Sequence, residues 1–192
     1  PLARRFEAAG IQMLTVHGRT REQGYKGEAE YDTIAAVKAA VRVPVVANGD
    51  ITSPEKARAV LAATGADALM VGRAAQGRPW IFREIGHYLA TGEHLAPPLV
   101  AEVRRLLLDH LQDHYQLYGE ATGVRSARKH IAWYVRALPG GEALRQHINT
   151  IEDCSAQWQA VQAYFAALGQ RMDRLPATAA ATLHEEQEGF CA

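Results

Sequence analysis

The sequence predicts an α/β fold in which about three βα units form the C-terminal portion of a TIM-type (β/α)8 barrel and an all-α helical domain follows. Three apolar runs in the first half alternate with helical segments, and this alternation is typical of a parallel sheet. After Pro97 and Pro98, no further run has the character of a strand. Three strands alone do not make a stable parallel sheet, whereas a closed βα barrel has eight strands and about 250 residues.

Glycine, proline and capping residues place the elements of the first half. Gly10 ends an opening helix, and IQMLTVHG, VPVVANGD and ADALMVGR are the three strand candidates. Ser53 and Pro54 are typical of an N-cap and of the first residue of a helix, and Gly65 is typical of the residue after its end. The other two helices are expected at about 31–41 and 79–90. Strands as uniformly apolar as these are expected to be buried on both faces.

Helical periodicity dominates the second half of the chain. It runs through 100–118, 124–138 and 151–168. Thr150 and Asp153 resemble a capping box at the start of the last of these helices. The Ala/Thr-rich and then acidic end of the chain is typical of disorder. We therefore expect a barrel part at 1–95, a helical domain at 99–168 and a disordered tail at 169–192.

Composition limits the class of protein. The chain has 21 basic and 21 acidic residues, so its net charge does not indicate nucleic-acid binding, although a local patch can do so. Cys154 and Cys191 give neither a disulfide framework nor a CxxC spacing, so we expect no metal and a reducing, cytoplasmic location. No apolar run approaches the length of about 20 residues that a membrane span needs. Because the chain starts at Pro1, within an amphipathic helix, we expect it to be part of a longer protein.

Polar residues follow the first two strand candidates, where βα architectures gather their chemistry. His17 ends the first run and can donate a hydrogen bond to a ligand. Asn48, Gly49 and Asp50 end the second run, where they offer acceptors for hydroxyl groups and room for close backbone approach. Ordinary structural roles, a histidine bonded to a neighbouring loop and a tight βα turn, are the alternatives for these positions.

Gly72 and Arg73 end the third strand candidate and suit an anion. Glycine leaves room for backbone N–H groups to face a phosphate, and arginine adds a permanent, forked positive charge. A following helix N-terminus would add partial positive charge. Together the three strand ends suggest a phosphorylated cofactor at the mouth of a barrel, for which FMN is suitable. From the residues alone, a sugar-phosphate substrate remains equally open, and Arg73 in a surface ion pair is the structural alternative.

The predicted helix at 124–138 has one basic face and one apolar face. At 100° per residue, its basic residues fall within about 100° of arc, with Trp133 at the border. The apolar residues fall on the opposite side. Contact with RNA phosphates and an ordinary solvated face are both compatible with this pattern. The basic residues are Arg125, Arg128, Lys129 and Arg136.

Four segments together closely resemble the bacterial tRNA-dihydrouridine synthases of the B type. They are LTVHGRTREQGYKGEAEYD, PVVANGDI, GADALMVGRAAQGRPWIF and RSARKHIAWY, in this order. The resemblance implies an FMN-binding barrel followed by a helical tRNA-binding domain. It also implies reduction of the uracil 5,6 double bond in tRNA, with NADPH as the electron donor.

The resemblance assigns residues as well. It implies that His17 lies near the flavin, that Asn48, Gly49 and Asp50 form the FMN loop, and that the pair Gly72 and Arg73 binds the phosphate. It favours RNA contact by the basic helix face. From their position in the loop after the first strand, Arg19, Arg21 and Lys26 are expected to extend this basic track towards the barrel mouth.

The proton-donating cysteine of the family is expected on a strand upstream of this chain. Cys154 and Cys191 lie in the helical half and the tail, so neither has that role. No catalytic residue is therefore assigned within the chain, which we expect to lack synthase activity by itself.

Two other functions remain open from the sequence. One is a different FMN-barrel reductase that acts on small pyrimidines, for which the basic helix face would have no role. The other is a standalone RNA-binding module formed by the helical domain, which would bind tRNA without flavin.

Overall fold

The computed structural model describes residues 1–24 and 26–177. Within this range the backbone forms two compact units. The first comprises 1–75 and 79–95, and the second comprises 76–78 and 96–177. No helix among the described residues is long and apolar enough to cross a membrane.

The first unit alternates strands with helices, as the sequence predicts. A short 3-10 helix, Arg73–Ala75, follows its third strand. The other elements, in chain order, are α1 (Leu2–Ala8), β1 (Leu14–His17), α2 (Asp32–Ala40), β2 (Val45–Asn48), α3 (Pro54–Thr64), β3 (Ala68–Met70) and α4 (Ile81–Thr91).

The three strands form a parallel sheet in the order β1-β2-β3. His17 lies opposite Asn48 in the β1–β2 register, and Asn48 lies opposite Met70 in the β2–β3 register. The ends of all three strands therefore meet at one edge of the sheet. The predicted α/β class and parallel sheet are confirmed.

Only the central strand is buried in the way that the sequence predicts. Val45, Val46 and Ala47 of β2 are all buried, and they pack against helix residues such as Ile34 and Val60. In β1 and β3, by contrast, exposed and half-buried residues alternate. The prediction of burial on both faces is wrong for these outer strands, because each leaves alternate residues exposed and so has one uncovered face within the described residues.

The predicted start and end of α3 are confirmed. The Ser53 side chain accepts a hydrogen bond from the backbone N–H of Lys56 at 3.2 Å, and Pro54 occupies the first helical turn. Gly65 follows the helix with φ +63°, a left-handed conformation that glycine adopts without strain.

Four helices form the second unit within the described residues. Three boundaries differ from prediction, since α6 spans Glu120–Val135 rather than 124–138, and α8 starts at Cys154 rather than at 151, with Asp153 as its N-cap. The carboxylate of Asp153 accepts a hydrogen bond from the Ala156 N–H at 2.6 Å, so Thr150 is not the cap. The elements are α5 (Val100–Tyr118), α6 (Glu120–Val135), α7 (Gly141–Ile148) and α8 (Cys154–Gly169).

Helix α7 is not predicted from the sequence, because it is short and opens with glycine. Its eight residues bury only two large apolar side chains, Leu144 and Ile148, which is too few to establish a helical period. The core of the second unit otherwise follows the predicted apolar faces. Its most deeply buried side chains include Leu107, Leu111, Ile131, Val161 and Phe165.

The segment after α8 is partly ordered, contrary to the expectation of a disordered tail from 169. The Leu175 N–H donates to the Pro98 carbonyl at 3.0 Å, and the Val100 N–H donates to the Asp173 carbonyl at 2.9 Å. Leu175 is also buried, and this apolar anchor explains why the backbone pairs here. The rest of the predicted tail, 178–192, lies outside the described residues.

Candidate functional site

The carboxyl edge of the sheet brings His17 and Asn48 side by side. The Nδ1 atom of His17 lies 3.2 Å from the Asn48 carbonyl oxygen, and the Asn48 amide donates to the Met70 carbonyl at 2.6 Å. His17 itself is exposed, so its ring has a surface available to a ligand. Both residues thus link neighbouring strand ends, and His17 also faces solvent.

The carboxylate of Asp50 is the centre of an ion-pair cluster. Its two oxygens accept hydrogen bonds from the Nη1 and Nη2 atoms of Arg19 at 2.8 and 2.7 Å. Oδ2 also accepts from the Ala29 N–H at 2.8 Å, and Oδ1 lies 3.3 Å from Nη2 of Arg73. Burial alone would raise the pKa of Asp50, but the bonds from Arg19 and Ala29 and the charges of both arginines hold it below its ordinary value.

This cluster changes the roles that the sequence suggests for Asp50 and Arg19. Because the Asp50 oxygens are taken up by Arg19, Ala29 and Arg73, they are not open acceptors for the hydroxyl groups of a ligand. The side chain of Arg19 is only 3% exposed and is paired with Asp50, which leaves little of it for the expected contact with RNA. Sequence reasoning missed this pairing, since the partners are 31 residues apart and only the parallel register brings them together.

Gly49 and Asp50 make an unusual turn after β2. Gly49 has φ +130°, and a Cβ atom at this position would lie 2.7 Å from the Cβ of Ala29. Asp50 has φ +47°, the one positive value at a non-glycine position among the described residues. The close approach at Gly49 is therefore to Ala29 of the same protein, and the turn directs the Asp50 carboxylate towards Arg19.

Gly72 and Arg73 follow β3 at the same edge of the sheet. Gly72 is exposed, and a Cβ atom added there would meet no atom within 4 Å. The Arg73 side chain is 29% exposed while Asp50 holds one edge of its guanidinium group. A positive charge fixed in position beside uncovered backbone is a suitable environment for a phosphate.

The basic face of α6 is confirmed as a helix face, and the apolar residues opposite it are buried. They are Val124, Ala127, Ile131, Tyr134 and Val135.

The basic residues of α6 differ in how far they are available. Arg125 and Lys129 are exposed, and the Lys129 ammonium lies 5.0 Å from the centre of the Trp133 ring. Arg128 is 22% exposed and donates to the Ile151 carbonyl and to Glu152. Arg136 is half-buried. Glu152 also pairs with Arg125 and so neutralises part of this surface.

Comparison with known proteins gives a consistent result over most of the chain. A family model described as dihydrouridine synthase matches residues 1–169. The tRNA-dihydrouridine synthase B of Pseudomonas putida is 59% identical over 172 residues, which cover 90% of this chain and 51% of that protein. The protein of the same name from Escherichia coli K12 is 58% identical over 164 residues, covering 85% of this chain and 51% of that protein. The chain thus spans about half the length of the curated relatives that it matches.

Proposed function

The chain belongs to the dihydrouridine synthase family, and on this basis we propose that the protein containing it reduces uridine in tRNA to dihydrouridine. FMN is the proposed redox cofactor and NADPH the electron donor. The observation that carries this proposal is the identity of 58–59% to tRNA-dihydrouridine synthase B along nearly the whole chain. Fold alone would not suffice, because βα barrels host many unrelated reactions. A tRNA substrate also favours a cytoplasmic location.

In the complete protein, the three βα units would belong to the C-terminal portion of a (β/α)8 barrel. The parallel order β1-β2-β3 and the position of the polar residues at one edge of the sheet support this assignment. The helical unit would bind tRNA, which the basic face of α6 supports.

The residues at the sheet edge fit a flavin mononucleotide. Arg73 and the uncovered backbone at Gly72 would hold the phosphate, and His17 and the Asn48 loop would lie along the rest of the cofactor. Asp50 would act indirectly, since its hydrogen-bonded carboxylate fixes the Arg73 guanidinium in place. When bound, FMN would supply the hydride for reduction of the uracil 5,6 double bond.

An assay of the full-length protein tests this function. With NADPH and an unmodified tRNA transcript, we expect a gain of two hydrogens at a uridine, which mass spectrometry of the digested tRNA detects. Free uridine monophosphate should not be reduced. Equal reduction of the free nucleotide would favour a small-pyrimidine reductase instead, and no reduction of either substrate would contradict the proposal.

FMN binding by a variant of the proposed phosphate site is a separate test. Arg73→Gln should weaken FMN binding by about 10-fold to 100-fold, because a charge-assisted hydrogen bond to phosphate is lost. FMN fluorescence quenching measures the affinity. Arg42→Gln is the matched control, since Arg42 is an exposed arginine of the same unit and lies at the opposite, amino-terminal side of β2. Equal FMN affinity of the two variants would refute the phosphate role of Arg73.

The proposed tRNA contact is tested on the two exposed basic residues of α6. Arg125→Glu together with Lys129→Glu should lower tRNA affinity about tenfold or more. The slope of log affinity against log salt should fall by about 2, because two phosphate contacts disappear. Arg128 is left intact, because its bonds to Ile151 and Glu152 support the fold.

The control for this experiment is Arg105→Glu, which reverses an exposed charge on α5 of the same unit. Filter binding over a range of salt concentrations measures both quantities. If the α6 double variant keeps the salt slope of the unchanged protein, the basic face of α6 does not bind the RNA backbone.

A further inference from the structure

Three histidines of the second unit converge between α5 and α6. His110 and His114 are one turn apart on α5, so both lie on the same face of that helix. His130 comes from α6, and its ring centre lies 5.0 Å from that of His110 and 5.1 Å from that of His114. One ring nitrogen of each residue lies within 4.8 Å of the others. Among the described residues, no other cluster of three potential ligands occurs.

The spacing of the nitrogens is close to that of a metal centre. In a tetrahedral zinc site with Zn–N distances of 2.0–2.1 Å, the ligand nitrogens lie about 3.3 Å apart. The three side chains would have to rotate to bring their nitrogens from within 4.8 Å of one another to this spacing. The cluster is also sheltered, since His114 is 8% exposed and His110 and His130 are half-buried.

Ser126 fixes the tautomer of His114. The Ser126 hydroxyl donates to the Thr122 carbonyl at 2.7 Å, so its oxygen is left to accept from Nε2 of His114, also at 2.7 Å. With the proton on Nε2, the lone pair lies on Nδ1, which is the atom through which His114 would bind a cation. A hydrogen bond of this kind, from the other ring nitrogen to a polar neighbour, is the usual partner of a metal-bound histidine.

The charge state of the cluster is compatible with coordination. Burial lowers the pKa of all three rings, and the pKa of His130 falls to about 4 with added repulsion from His110, His114 and Lys129. The charged neighbours are Asp113 beside His110 and Lys129 beside His130, one of each sign. Burial therefore disfavours the protonated form of these rings, and a metal binds the neutral imidazole.

We infer that His110, His114 and His130 form a binding site for a divalent transition metal, with Zn²⁺ as the favoured ion, that links α5 to α6. Three neutral nitrogen ligands without a carboxylate suit Zn²⁺ rather than Mg²⁺ or Ca²⁺, which prefer oxygen. Water would occupy the fourth coordination position of the zinc ion. This site is independent of the proposed reductase chemistry, and it revises the expectation of no metal, which considered cysteine spacing alone.

The test uses the full chain with Cys154→Ser and Cys191→Ser, so that thiols cannot contribute ligands. After treatment with a chelator, calorimetric titration with Zn²⁺ should show one ion per chain. Zinc at a hundredfold excess over its Kd should raise the Tm by about 4 °C or more. Co²⁺ should give the visible absorption of a tetrahedral site without a thiolate charge-transfer band.

Substitution of a ligand identifies the site. His130→Gln should weaken Zn²⁺ binding about 100-fold or more, since even the loss of a supporting hydrogen bond costs 10-fold to 100-fold. His147→Gln is the matched control, because His147 is an exposed histidine on α7 of the same unit. It should leave zinc affinity unchanged.

Either of two results would overturn the inference. One is a cobalt spectrum typical of six-coordinate Co²⁺ together with a Tm that zinc does not change. This result is obtained without any histidine variant. The other is unchanged zinc affinity in His130→Gln and in His110→Gln. If one of these variants loses its helical circular dichroism signal and so does not fold, the zinc affinity of the other variant and the cobalt spectrum test the inference.

Discussion

Asp50→Asn is expected to destabilise the first unit by about 3 kcal/mol. The substitution leaves the Arg19 guanidinium, whose side chain is 3% exposed, without a counter-charge. Removal of one partner from a buried ion pair costs about 3–5 kcal/mol, and the 22% exposure of Asp50 favours the lower end. The asparagine amide would also direct a donor at the donors of Arg19. Urea unfolding followed by circular dichroism measures the change.

The control for this experiment is Glu142→Gln. Glu142 pairs with Arg145 at 2.7 Å, a distance like that of the Asp50 pair, but both side chains are well exposed. Exposed pairs contribute about 0–1 kcal/mol, so this variant should unfold at nearly the urea concentration of the unchanged protein. Equal effects of the two substitutions would show that burial of Arg19 does not determine the strength of its ion pair.

The effect of Asp50→Asn should depend on pH in a defined direction. Because the folded-state pKa of Asp50 lies below its ordinary value of about 3.9, its contribution to stability is complete above that pH and is lost as the pH falls further. The difference in free energy of unfolding between the variant and the unchanged protein should therefore be constant around neutral pH and should become smaller below about pH 4. A difference that instead grows on acidification would contradict this assignment.

Gly77→Ala is expected to destabilise the second unit by about 3 kcal/mol or more. Gly77 has φ +73°, and a Cβ atom there would overlap the carbonyl group of Trp133 and lie 2.9 Å from the Tyr134 nitrogen. These are backbone atoms of α6, which cannot turn away as a flexible side chain could. Strain from positive φ and the overlap therefore add together.

Gly140→Ala separates the two contributions. Gly140 lies in the same unit and has a similar φ of +75°, but a Cβ atom there would make only an ordinary contact of 3.7 Å with Tyr164. Its substitution should cost about 1 kcal/mol, the cost of the left-handed backbone alone. Urea unfolding followed by tryptophan fluorescence reports on both variants. Equal urea midpoints of the Gly77→Ala and Gly140→Ala variants would show that the segment around Gly77 moves away from α6 without loss of stability.

Sequence patterns predicted well those features that depend on neighbouring residues. The start of α3 at Ser53 and Pro54 follows from capping chemistry within one turn, and the apolar face of α6 follows from the 3.6-residue period. The missed helix α7 and the misplaced cap at Thr150 show the limit of such signals. A short helix such as α7 carries few periodic positions. At the start of α8, more than one residue is of a type that can serve as the N-cap.

The sequence by itself determined the alternation of strands and helices, the polar strand ends and the family. Only the tertiary structure decided what those polar residues bind to. Arg19, expected on an RNA surface, is instead buried against Asp50, and His130 meets two histidines of another helix. The physical reason is that such contacts depend on the register of strands and the packing of helices, which join residues that are 16 to 31 positions apart along the chain.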